Sequence, residues 1–161
     1  MPSGCCVSED DAQLRAHGLA LAEAVRTALP DWVERCVRER CEASGVAYDG
    51  AVRSAAREAA AACSARVGDE LVALLTADPD DQRGTPLTLL RQAVRYPTEV
   101  LAAAGVPPVD RDDFARRAFP DDRYDLSPAS FEDVDPALRD PGIAWGAARA
   151  WVHHRRHAGG E

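Results

Sequence analysis

His153 and His157 stand four residues apart, the interval that sets two imidazoles on one face of a helix and that helical zinc sites use. Neither histidine follows a carboxylate in a zincin or ferritin-like order, and Glu-x-x-His is absent from the chain. The pair therefore reads as a solvated cationic helix end, favourable to the helix dipole, with His153, His157, Arg149 and Arg156 facing outward. Thiols are the other route to metal or redox chemistry. Cys36 and Cys41 are five apart, about 140° around a helix axis, so they do not jointly grip one ion. Cys5-Cys6 lacks the paired spacing of a zinc knuckle, and no Cys-x-x-Cys occurs. Cys36, Cys41 and Cys63 read as small packing residues. No metal ligand set and no cofactor is expected from these residues.

Other catalytic vocabularies are missing at the level of residue type. All nineteen basic residues are arginine and there is no lysine, which excludes a phosphate-loop, Schiff-base or kinase lysine. There is no asparagine either. Ser127 and Ser130 lack a Gly-x-Ser-x-Gly context and read as caps or turns. Asp121, Asp122 and Asp125 lack the alternating order and terminal glutamate of a calcium loop; with Arg116, Arg117 and Arg123 nearby they read as a surface ion-pair network. No catalytic residue emerges, and the balance leans against an enzyme.

The elements that must carry these residues are helices. Ser8 and Asp11 resemble a capping box opening a helix to about Leu29, with Leu14, Leu21, Val25 and Ala28 as its apolar stripe and His17 on the same face. Pro30-Asp31 is expected to start a second helix to about Ala43, with Val33, Cys36, Val37 and Cys41 inward and Gly45 as its left-handed stop. A third and longest helix, alanine-rich, is expected from about Gly50 to Ala77, with Gly68 a point of weakness. Nine of the eleven prolines lie from Pro79 onward and divide the rest into short pieces. Thr85-Pro86 opens one helix, Tyr96-Pro97 restarts or kinks it, Gly105 ends it, and Asp110 caps a short segment containing Phe114 and Phe119. Ser127-Pro128 and Asp135-Pro136 each start a helical turn. Asp140-Pro141-Gly142 begins the final helix to about His157, predicted to bury Ala144, Ala148, Trp151 and Val152 with Trp145 beside them. Trp32 joins the core or marks an exposed patch. Nothing alternates with a strand's period. The fold expected is one all-α domain over residues 1–161, a helical bundle with a Pro-punctuated C-terminal half, residues 1–8 disordered and 158–161 a frayed tail.

Composition is consistent with that domain. At 161 residues a single core is affordable, and 31 alanines in helix-periodic runs let helices approach closely. The net charge of −8 concentrates in residues 110–140, which carry −5, while 141–161 carries +2. An acidic surface repels phosphate backbones, so no nucleic-acid partner is expected. No apolar run reaches the length of a membrane span, so no membrane is expected, and the N-terminus matches neither a secretory signal nor a myristoylation start. A cytoplasmic address and free thiols follow as expectations.

The segment Arg95-Tyr96-Pro97-Thr98-Glu99-Val100-Leu101, with Ala104-Gly105-Val106-Pro107-Pro108, Ala118 through Leu126, Ser127 through Phe131 and Ala144 through Ala148, resembles a family of small helical proteins of GC-rich bacteria. The resemblance covers under half of the chain and implies no activity, cofactor or catalytic residue.

The leading functional expectation is a non-catalytic interaction protein that presents Tyr96, Tyr124 and neighbouring arginines to a protein partner, with a homo-oligomer also open. A second expectation is a pocket between the long alanine-rich helix and the wrapping segment, holding a small anion with Arg95, Arg116 and Arg123. A third is a thiol or metal sensor built on Cys36, Cys41 or Cys63.

Overall fold

A computed structural model describes residues 8–82 and 84–158, all-α, with no strand among them. The expected disorder over 1–7, the Cys5-Cys6 pair and the tail 159–161 lie outside the described residues. Ser8 itself is ordered as a cap: its hydroxyl accepts from the Asp11 amide at 3.1 Å.

The first helix, α1 (Glu9–Ser44), runs through Pro30 without a break, so the two helices expected here are one. Proline removes the amide that would bond the carbonyl four residues back, and that carbonyl belongs to Arg26. Ser64, on the next helix, donates its hydroxyl to the Arg26 oxygen at 2.8 Å and fills the gap. The proline is tolerated because a neighbour supplies the missing donor. Ser64→Ala should then destabilise the fold by about 1–2 kcal/mol through an orphaned carbonyl, and by much less when combined with Pro30→Ala, which restores a main-chain donor. A double-mutant cycle by denaturant unfolding reads the coupling.

Gly45 ends α1 in the left-handed conformation at φ 77°. Asp49 then caps α2 (Gly50–Thr76) by accepting from the Val52 amide at 3.0 Å. At 36 residues α1, not the alanine-rich helix, is the longest. The two are antiparallel, as their pairings show: Gly18 lies against Leu75, Arg26 bonds Asp69 at 2.9 Å, and Glu34 meets Arg57 at 3.5 Å. Gly68 is no break. The Arg26 side chain passes over it, its Nε 2.7 Å from where a Cβ would stand.

Thr85 caps α3 (Pro86–Gln92), and α4 (Arg95–Ala103) follows almost at once. Pro97 has no amide to give the Ala93 carbonyl and crowds it, so the helix axis breaks at Ala93-Val94. Gly105, at φ 78°, stops α4. The short α5 (Asp113–Ala118) is capped by Asp112 rather than Asp110, the Asp112 carboxylate accepting from Ala115 at 2.7 Å. Its Phe114 is 77% exposed. After α6 (Phe131–Val134) and a 3-10 turn at Pro136–Leu138, α7 (Arg139–His157) closes the chain along the first half of α1.

The main core gathers Leu21, Val25, Leu29 and Trp32 of α1, Cys63, Val67 and Leu71 of α2, Leu90 of α3, and Trp145 and Val152 of α7. A second cluster, of Val37, Cys41, Ala56, Leu101, Val106 and Tyr124, packs α4 and the chain after it onto the far end of the α1/α2 pair. The final helix packs Trp145, Ala148 and Val152 on the core as expected, but turns Trp151 outward. Trp145 and Val152 are buried, Trp151 is 55% exposed, and Arg156 turns inward to Asp11 and Asp78.

Candidate functional site

A cleft of about 470 Å³ opens between α2, the α3/α4 break and the segment from Ala118 to Ser127. This is the location expected for a small-molecule pocket, with a different set of arginines. Arg95 and Tyr96 line it; Arg116 and Arg123 do not. Arg116 is exposed on α5, where its Nε donates to the Arg111 carbonyl at 2.8 Å and its guanidinium sits 3.6 Å from Asp110. Arg123 is exposed as well, and its carbonyl accepts from the Val109 amide at 3.0 Å.

Tyr124 is not a surface residue. It is 1% exposed in the second cluster, and its hydroxyl donates to the Val106 carbonyl at 2.8 Å. That bond ties the wrapping segment to the end of α4 and so fixes one wall of the cleft. The neighbouring carboxylate has the same kind of task. Asp122, 4% exposed, accepts from the amides of Leu126 and Ser127 at 2.8 Å each, folding a turn in which Asp125 takes φ 56°. The expected ion-pair network is therefore replaced by a carboxylate bonded to main chain: among the described residues, Asp121, Asp122 and Asp125 form no ion pair. Buried charge needs such donors.

Three arginines, Arg66, Arg91 and Arg95, line the cleft beside three carboxylates, Glu70, Asp121 and Asp122, of which Asp122 is turned to main-chain amides. Arg91, on α3, lies over the Phe119 ring at 5.3 Å from its centroid. Its Nε is buried without a hydrogen-bond partner among the described residues, an arrangement that costs free energy unless something else accepts from it. Arg95 lies over the Tyr96 ring at 4.9 Å and donates to the Tyr96 hydroxyl at 3.2 Å, which raises the Arg95 pKa further above its ordinary value. Neither guanidinium has a carboxylate partner among the described residues. The third arginine, Arg66 of α2, is paired with Glu70 at 3.4 Å. Two unpaired guanidiniums with aromatic planes beside them suit a small anion with an apolar body. Sequence reasoning passed over Arg91, although Arg91 and Arg95 stand four apart across a proline break, a visible sign that both end on one side of the junction.

No protein-family model, curated protein or solved structure matches this chain. Residue roles rest on the geometry alone.

The thiols sit elsewhere. Burial pushes Cys36 and Cys63 up to about 12 and raises Cys41 as well, so all three are protonated at neutral pH. Thiolate is the form that reacts and binds metal. Among the described residues, the group that brings three ligand atoms together is Asp80, His153 and His157, at the opposite end of the chain's fold from Cys41.

Proposed function

We propose that this protein binds a small organic anion, a carboxylate or phosphate ester with an apolar body, in the cleft between α2, the α3/α4 break and the wrapping segment. One observation carries the reading: Arg91 and Arg95 both line the cleft without an ion-pair partner among the described residues, Arg91 lying over Phe119 and Arg95 over Tyr96. A ligand oxygen bound there is met by two cations, Arg91 and Arg95, with Tyr96 and Phe119 as walls. The volume falls within the range of small-ligand pockets. Free, protonated cysteines fit a reducing compartment such as the cytoplasm.

The test is an NMR titration of the full chain with phenyl phosphate, benzoate and inorganic phosphate, following the arginine Nε–H signals. Phenyl phosphate or benzoate should shift Arg91 and Arg95 and bind more tightly than inorganic phosphate, which offers charge without an apolar body. Arg91→Gln should weaken binding at least about tenfold, since a charge-assisted hydrogen bond is worth about 1.5–3 kcal/mol. Arg91→Lys, which keeps the charge but not the fork, should recover only part. If the arginine signals stay still with all three probes, the reading fails.

A protein partner is the second reading, favoured by exposed large apolar side chains: Phe114, Ile143 at 58% and Trp151. Tyr124 has no part in it, being buried, and Tyr96 faces the cleft.

A further inference from the structure

The histidine pair of α7 meets a carboxylate that its own helix does not provide. The turn after α2 folds on Asp78, which accepts from the Asp80 amide at 3.0 Å, and this brings Asp80 to the last turns of α7. A ring nitrogen from each of His153 and His157 and a carboxylate oxygen of Asp80 all lie within 4.8 Å of one another. Asp80 Oδ1 is 4.0 Å from His157 Nε2, and the two imidazole centroids are 4.3 Å apart. We propose that Asp80, His153 and His157 bind a divalent transition-metal ion of the imidazole-preferring class, with zinc as the representative ion.

The geometry is close to what such an ion requires. Ligand bonds of about 2.0–2.1 Å in tetrahedral array put neighbouring ligand atoms about 3.3–3.5 Å apart, so rotamer adjustments that bring the ligand atoms up to about 1.5 Å closer together close the site. The three side chains are exposed, which permits that adjustment and leaves the remaining coordination positions to water. Two imidazole nitrogens select against calcium and magnesium, which take oxygen ligands.

Arg156 prepares the carboxylate. Its guanidinium donates to Asp80 Oδ2 at 2.8 Å, to both oxygens of Asp78 at 2.7 and 3.0 Å, and to Asp11 at 3.0 Å. Asp80 is thereby held with Oδ1 turned to His157, the orienting role that partners of metal ligands perform. Asp10, Asp11, Asp78 and Asp80 pair with Arg155 and Arg156 around the site. A bound ion would clasp the end of α7 to the turn that follows α2.

Zinc chloride titrated into the full chain tests this by calorimetry and by histidine ring NMR. One ion per chain should bind in the micromolar range, shifting the ring signals of His153 and His157 and leaving His17 unmoved. At zinc about 100-fold above Kd the melting temperature should rise by about 5–10 °C. His153→Ala, His157→Ala and Asp80→Asn should each weaken binding at least about tenfold, the low end of what even an orienting partner contributes. Cys5→Ser with Cys6→Ser should leave the affinity unchanged. The proposal is overturned by absence of binding below about 1 mM, by binding that the cysteine pair abolishes and the histidine variants spare, or by an Asp80→Asn affinity equal to wild type.

Discussion

Trp145→Ala is expected to lower stability by about 3–5 kcal/mol, and Trp151→Ala by less than about 1 kcal/mol, although the two residues are the same type on one helix. Trp145 is 6% exposed and packs into the main core, with Arg149 over its ring at 5.4 Å. Trp151 is more than half exposed, its ring beside His154. For a domain of this size 1 kcal/mol moves the midpoint by about 2–4 °C, so the Trp145 variant should melt about 6–20 °C below wild type while the Trp151 variant stays within a few degrees. Circular dichroism melts read this directly. Fluorescence gives an independent check, since acrylamide should quench Trp151 readily and spare Trp32 and Trp145. Equal losses from both substitutions would mean that α7 docks differently.

The difference between the two tryptophans shows where the sequence was informative and where it was not. The stripe expected from Ala144, Ala148, Trp151 and Val152 shares Ala148 and Val152 with the face that packs, which is rotated toward Trp145 and Arg156 and leaves Trp151 outside. What turns the helix is Arg156, whose partners Asp11 and Asp78 lie more than seventy residues away in sequence. Periodicity does not register such a partner. The same limitation hid the clasp at Asp80: the pairing of His153 with His157 was visible as a spacing, and the carboxylate was not. Local chemistry transmitted well. Gly45, Thr85 with Pro86, and Gly105 all stop or start helices as their types demand. Pro30 failed as a local signal for a physical reason, since its effect depends on whether another helix donates to the Arg26 carbonyl, and Ser64 does. Half of the cleft was legible. Arg95 and Tyr96 follow from the proline restart, whereas the burial of Tyr124 follows from a carbonyl, that of Val106, which the sequence gives no reason to single out.

Gly18→Ala is expected to destabilise the protein by about 2–3 kcal/mol, while the same chemical change at Gly146 should stabilise it by about 0.5–1 kcal/mol. Both glycines are inside helices, where alanine is intrinsically better by about that smaller amount. At Gly146 a Cβ would meet nothing within 4 Å, so the propensity gain stands alone. At Gly18 it would fall inside contact distance of the Leu75 carbonyl oxygen, 3.0 Å from the carbonyl carbon and 3.2 Å from the Leu75 Cβ. The obstruction is main chain, so no rotamer change relieves it, and α1 and α2 must separate where Leu71 and Leu75 are buried. Overpacking of this kind costs about 1–3 kcal/mol or more, enough to overturn the propensity term. Urea unfolding of the two variants, with unchanged m-values, measures both signs in one experiment. A Gly18→Ala variant as stable as wild type would show that the two long helices do not cross this closely, and the tight antiparallel pair on which the rest of the chain packs would need to be redrawn with a wider spacing.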